Sequence, residues 1–486
     1  MAAASWFSRH QLICCDYSGD PGSNDKPVLW ELNCSNLLKL ALYDWAVRLD
    51  EPLLQAATGI THLNLHMFNL QDFRGRWQVG QLQMLYNLCH LPALERFDLS
   101  VGETLALTDC NINNHELSSG VMSAWSTTLT RLSFSGVLAL ESFRPLSGFT
   151  KLQHIYMNLR LGVWDAVQSG QLPFQQLQGL TFLSLCREER KTLNTDSSLS
   201  LSSSSALQEL DLYSPSLNTA CFQGLTGLRT LHLVVDAKFE GGATGLPAVL
   251  RPISCMQQLE RLVLACGFRP GADGGVVTLG GGDAELCRAF TASRHLRYLD
   301  LSGLKLPQNA WSHLFPIGRQ LPELLEFKMC FDVDLAEMPE LADELLDRPE
   351  LEQMVTCCPA ITRLSFGSIL TFKPEVSLAP LLQLHKLSDL ECPCVDDVAS
   401  VRVLAGMSTL TRLHVYAVSP GLSDKGLLQL TALKGLQELG LKYHPSAEYN
   451  MSIIGERWAP SEKILKVSPL AKVLCAVHMC LHGTYR

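Results

Sequence analysis

The sequence predicts an α/β solenoid, with a curved parallel β-sheet on the concave side and helices and irregular turns on the convex side. Three observations predict it. An apolar residue followed by others at +3 and +5 recurs fifteen times, at intervals of about 21 to 37 residues. The segments between these triplets carry helix-start signals and further leucines, as in "SDKGLLQLTAL", Ser423–Leu433. The 486 residues also exceed one ordinary globular core, which calls for several domains or an elongated array.

The elements follow in order. Residues 1–36 carry no triplet and contain the loop-like "DYSGDPGSNDKP", so they read as a leader with a capping portion near Val28 to Leu32. The array of about 15 repeats occupies residues 37–444, with triplets beginning at Leu37, Ile60, Leu94, Leu129, Leu152, Leu180, Leu207, Leu228, Leu259, Leu296, Leu324, Ile361, Leu387, Leu410 and Leu436. On a short strand the +3 and +5 residues fall on one side, and +2, +4 and +6 on the other. One side is core and the other meets solvent. Ser423 or Asp424 is placed to cap a short helix whose Leu427, Leu428 and Leu430 pack back beneath the strand. Each coil then buries its apolar edge against its neighbours, and the stack shares one core.

Irregular segments interrupt the array. "DSSLSLSSSSA", Asp196 to Ala206, reads as a flexible serine-rich insertion, with phosphorylation as the alternative. Gly267 to Asp283 is glycine-rich but lacks both G-x-G-x-x-G and G-K-[ST], so a lengthened surface loop is expected rather than a phosphate cradle. Asp332 to Glu352 holds nine acidic residues against Arg348 alone and predicts a solvated helix around "ELADELLD". Residues 445–486 read as a helical cap closing the last coil.

By its "LxxLxL" repeats the chain from Leu37 to His444 resembles the leucine-rich-repeat superfamily. "GLSDKGLLQLTALKGLQELGL" is most similar to the cysteine-containing or plant-type repeats found behind F-boxes in ubiquitin-ligase receptors. The resemblance implies protein recognition, with substrate recognition for a cullin-type ubiquitin ligase as one role and a scaffold in a ciliary axonemal assembly as the alternative. No F-box is visible, and the asparagine or cysteine that many members place at +8 is replaced here by Trp45, Phe68, Gly102, Pro215, Leu304 or Val418.

Composition narrows the classes. Hydrophobic content of 47% with 18% charged residues indicates a folded chain. A net charge of -9 argues against a global nucleic-acid or acidic-membrane binder. Arg9 and His10 break the apolar core a secretory signal needs, and Lys472 and His478 interrupt the longest apolar run near the end. These features predict a cytoplasmic protein, with nucleus or cytoskeleton as alternatives. Seventeen cysteines without a C-x-x-C pair are then reduced thiols in leucine-like positions, and the sequons at Asn33 and Asn450 are silent.

Candidate chemistry is weak. His62 and His66 share a strand face but stand roughly 13 Å apart at strand rise, too far for one ion. Cys392 lies near Cys394 and His385 but occupies the +5 core position, which favours a buried thiol. Glu209 with Asp211 and Asp389 with Glu391 project from one face at i, i+2, on an open sheet with nothing to separate their pKa values. No nucleophile elbow, H-E-x-x-H, P-loop or Cys/His signature occurs, so neither catalysis nor a cofactor is expected.

The outward positions carry the stronger signal. In the first five repeats +2 holds Lys39, His62, Arg96, Arg131 and His154, and the acid at +2 or +4 is Asp98 alone. From the seventh repeat onward those positions collect Glu209, Asp211, Asp300, Glu326, Asp389, Glu391 and Glu438 against Arg261, Lys328, Arg363 and Arg412. Tyr43, Tyr156, Phe182, Tyr213, Tyr298 and Tyr416 share the face, and such residues are enriched at binding hot spots. The expected site is a protein interface in which an acidic partner segment crosses Lys39 to His154 and anchors near Tyr156 and Phe182.

Overall fold

The structure is a computed structural model. It describes residues 12–14, 38–43, 58–67, 91–101, 125–136, 148–159, 177–187, 201, 204–213, 222, 224–236, 246–267, 277–278, 281–307, 309–330, 345–346, 348–366, 371–372, 377–395, 398–418 and 428–441. The chain divides into two compact units, Met1–Leu228 and Arg229–Arg486.

In the first unit the strands are β1 (Leu12–Cys14), β2 (Lys39–Tyr43), β3 (His62–Met67), β4 (Arg96–Val101), β5 (Arg131–Gly136), β6 (His154–Leu159), β7 (Phe182–Arg187) and β8 (Glu209–Tyr213). Each pairs in parallel with the next in chain order. The second unit repeats the plan with β9 (Thr230–Asp236) and β10 (Arg261–Gly267), followed by strands at Tyr298–Asp300, Glu326–Lys328, Arg363–Ser365, Asp389–Val395, Arg412–Val418 and Glu438–Leu441. These too are all parallel.

Every strand from β2 onward along this ladder starts at the +2 position of its triplet. All fifteen +3 residues are buried, from Leu40 to Leu439, as is every described +5 residue, including Met157, Leu301 and Cys392. Strand period therefore sets which residues enter the core, and each unit has the α/β leucine-rich-repeat architecture. β1 is an addition: it lies inside the segment expected to be a leader, with Leu12 in register with Leu40.

Two devices hold successive coils together. The carbonyl at +1 accepts the N–H groups of the +1 and +2 residues of the next coil, as Glu95 O does from Thr130 N (2.8 Å) and Arg131 N (3.1 Å). Threonine at +1 adds its hydroxyl: Thr61, Thr130, Thr181, Thr362 and Thr411 each donate Oγ1 to the same carbonyl of the preceding coil. This ladder meets the backbone's bonding requirement in coils whose sequence lacks the usual asparagine or cysteine at +8. The second device is a turn at −3 to 0, in which the N–H of the triplet's first residue bonds back three residues, as Leu94 does to Leu91 and Leu259 to Met256. Its −3 side chain is buried at Leu91, Leu177, Leu225, Met256, Leu321, Cys358, Leu384, Met407 and Leu433.

Behind the strands the sequence expectation needs correction. "LQLTA" forms a 3-10 turn, Leu428–Ala432, in which Leu430 is buried but Leu428 is exposed; Ser423, Asp424 and Leu427 lie outside the described residues. The acidic stretch has a strand at Leu345–Leu346, paired with Thr371–Phe372, and its helix begins at Arg348 and runs to Cys357. In the serine-rich segment Leu201 and Ser204 are buried and form the turn leading into β8, so this part is coil core rather than a free insertion. The glycine-rich loop contributes a strand, Val277–Thr278, paired with Leu304–Lys305, and a 3-10 helix, Gly281–Thr291. The expected caps at Val28 to Leu32 and 445–486 lie outside the described residues.

Candidate protein-binding face

Register, set by the buried +3 and +5 residues, decides which outward side chains become neighbours. In the first unit the +2 residues are Cα partners strand by strand: Lys39 with His62, His62 with Arg96, Arg96 with Arg131, Arg131 with His154, and His154 with Phe182. All five basic residues expected at the site thus stand in one row. Lys39, Arg96 and Arg131 are exposed, and His62, His154 and Phe182 are half-buried. Among the described residues Lys39, Arg96 and Arg131 form no ion pair. At about 4.8 Å per strand the row spans roughly 19 Å from Lys39 to His154.

The aromatic residues extend this row. The Phe182 ring stacks on His154, with centroids 5.9 Å apart and planes inclined by 28°. Tyr156, at +4 on β6, keeps 36% of its surface exposed, and burial of the rest, with Cys186 and Asp211 nearby, pushes its phenol up. Burial and the adjacent Arg96 and Lys39 charges hold His62 below the ordinary imidazole value, against weaker opposing pulls from Glu95 and Asp98. Burial and Arg131 do the same to His154. His62 is further fixed by Thr61 Oγ1, 2.8 Å from Nδ1.

The outward face of the second unit is built differently. Arg363 lies 3.1 Å from Glu326 and 3.5 Å from Asp389, and Arg412 pairs with the same Asp389. His414 Nε2 lies 3.1 Å from Glu438. Gly440 leaves room for that imidazole, since a Cβ there would stand 2.8 Å from His414 Nδ1. Arg261 covers the Tyr298 ring at 3.6 Å, with the Lys328 ammonium 5.6 Å away, and the Tyr298 hydroxyl donates to Asp300 at 3.1 Å. Tyr298 is therefore a covered ring, not an open anchor. Tyr43, Tyr213 and Tyr416 have side chains outside the described residues.

Three of the four carboxylates in these pairs are engaged with neighbours. Asp211 accepts from Ser184 Oγ at 3.0 Å, Glu391 accepts from Ser365 Oγ, and Asp389 is held by two arginines. Ser365 also contacts Cys330 Sγ at 2.8 Å, and burial raises that thiol to about 11, which removes it as a nucleophile at neutral pH. Cys392 is buried, and Cys255, Cys330, Cys357 and Cys358 are free thiols. Among the described residues no three His, Cys, Asp or Glu side chains converge as metal ligands, and no helix is long and apolar enough to cross a membrane.

Sequence reasoning missed the charge pairing in the second unit, although the +2 and +4 spacing that lists those residues also contained it. It missed the −3 anchor and the +1 threonine as well, both legible as recurring types once the triplets are aligned.

No protein-family model and no curated protein sequence matches the chain. Among solved structures, a chain of the crystal structure of the mouse RP105/MD-1 complex is similar at a TM-score of 0.39 and 15% identity, covering 83% of this chain and 67% of that one. At that level of overlap the likeness carries no weight for function, and the architecture rests on strand register.

Proposed function

We propose that the outward face of the first unit is a non-catalytic recognition surface for the acidic segment of a protein partner. The observation that carries this is the row of basic residues on consecutive strands, Lys39 to His154, whose permanent cations have no ion-pair partner among the described residues. Like charges side by side on a sheet repel, and an anionic segment laid across the strands relieves that cost. An extended peptide of about six residues matches the roughly 19 Å span. Tyr156 and the His154–Phe182 stack supply the apolar contact at one end.

Enrichment from a library of defined peptides tests this. The wild-type chain should retain peptides with acidic runs in a salt-sensitive way, and Arg96→Glu with Arg131→Glu should lose them while melting normally. Retention without preference for acidic sequences overturns the proposal. The resemblance of the repeats extends the reading to substrate recognition for a cullin-type ubiquitin ligase, or to an axonemal scaffold. Co-purification with ligase subunits supports the first role, and retention in a salt-resistant cytoskeletal pellet supports the second.

A further inference from the structure

The two imidazoles in the basic row stand where permanent charges act on them. His62 on β3 faces Lys39 from β2, Arg96 and Asp98 from β4, and Glu95 from the turn before β4. His154 on β6 faces Arg131 from β5 and the uncharged Phe182 ring from β7, with Arg96 and Glu209 acting from farther along the sheet. In both cases burial comes first among the effects on the ring, and a neighbouring arginine second. The free face therefore holds these two histidines uncharged at neutral pH, and the fixed charge of the row comes from Lys39, Arg96 and Arg131.

An anionic segment seated on the row reverses that balance. Its carboxylates neutralise Arg96 and Arg131, whose repulsion had opposed protonation, and present negative charge directly to the imidazoles. The cost of charging His62 and His154 falls as the complex forms. From this geometry we infer that an acidic segment binds the face with uptake of protons at His62 and His154, so that binding tightens as the pH falls through the histidine range. The inference rests on the reading of this face as an acidic-segment site. It assigns the two histidines a role distinct from the arginines: a charge reserve that the partner itself switches on. Linkage makes the effect reciprocal, since a ligand that raises a group's pKa binds more tightly when that group is protonated.

A labelled oligoglutamate peptide tests this on the full chain, because its carboxylates stay ionised from about pH 7.5 to about pH 5.5. Fluorescence anisotropy at low salt should show the dissociation constant falling about threefold to tenfold over that range, as expected for one or two imidazoles shifted by up to about a unit each. In the His62→Gln, His154→Gln variant the ratio of the dissociation constants at the two pH values should fall to about one, whatever the affinity at the upper pH. Histidine C–H resonances of the wild type should move their titration midpoints upward when the peptide is added. Binding that is flat with pH, or a full gain in the double variant, overturns the proton linkage and leaves the acidic-segment reading standing. Failure of the peptide to bind at either pH overturns that reading, and the linkage falls with it.

Discussion

The two units share one way of building a core and differ in what they do with the outward face. In both, the +3 and the described +5 residues are buried and the +1 carbonyl receives the next coil. In the second unit the arginines alternate with acids in register, so that Arg363 stands between Glu326 and Asp389, and Arg412 next to Asp389. In the first unit lysine, histidine and arginine follow one another across five strands without an interposed acid at +2. The same scaffold thus pairs its charges internally in one region and leaves Lys39, Arg96 and Arg131 without an ion pair among the described residues in the other. Composition alone hides this, because the net charge of -9 averages over both faces.

The largest expected effect probes the shared part. Leu183→Ala in the first unit and Leu299→Ala or Leu413→Ala in the second each leave a cavity at a fully buried +3 position, and each should cost about 2 to 5 kcal/mol in denaturant unfolding. A neutral result at any of them breaks the common register at that coil.

A smaller effect separates the units. Asp389→Asn deprives both Arg363 and Arg412 of a partner and should cost about 1 kcal/mol in stability. Asp98→Asn, which removes the acid at +4 on β4 beside the basic row, should leave stability within about 0.5 kcal/mol and strengthen binding of an acidic peptide. Equal stability changes would mean that the pairing difference has no energetic content. Thr130→Val and Thr411→Val should each cost about 0.5 to 1.5 kcal/mol, alike in the two units, because each removes one hydroxyl from a carbonyl that retains two N–H donors.

The smallest effect is a pH dependence confined to the first unit. The fold holds His62 and His154 below their ordinary value, so protonation disfavours the folded state. Their contribution is intact above the ordinary imidazole value and is lost as the pH falls through the lower, folded value. Thermal melts between about pH 7.5 and about pH 5 should lose less stability in the His62→Gln, His154→Gln variant than in the wild type.

Much of the fold was legible because one period governs it. A strand of alternating residues with one buried side fixes both the core and the outward rows, so Leu63, Leu299 and Leu413 and the row from Lys39 to His154 followed from spacing alone. The remainder depends on contacts that spacing does not encode. β1 escaped because Arg9 occupies the place of the apolar residue that opens every other triplet. The coil around Leu428 looked helical because three leucines cluster there, but it closes with a 3-10 turn and leaves Leu428 outside. The covering of Tyr298 by Arg261 depends on side-chain geometry across two strands, which a residue count treats as an exposed aromatic and a free cation.

The most direct measurement compares the two arginine pairs. Stopped-flow association of an acidic peptide identified from the library should be followed at several salt concentrations for the wild type, for Arg96→Glu with Arg131→Glu, and for Arg363→Glu with Arg412→Glu. The first double variant should slow association about tenfold or more and flatten its salt dependence, while the second should leave both unchanged. Equal losses from the two variants, or none from the first, would contradict the assignment of recognition to the unpaired row of the first unit.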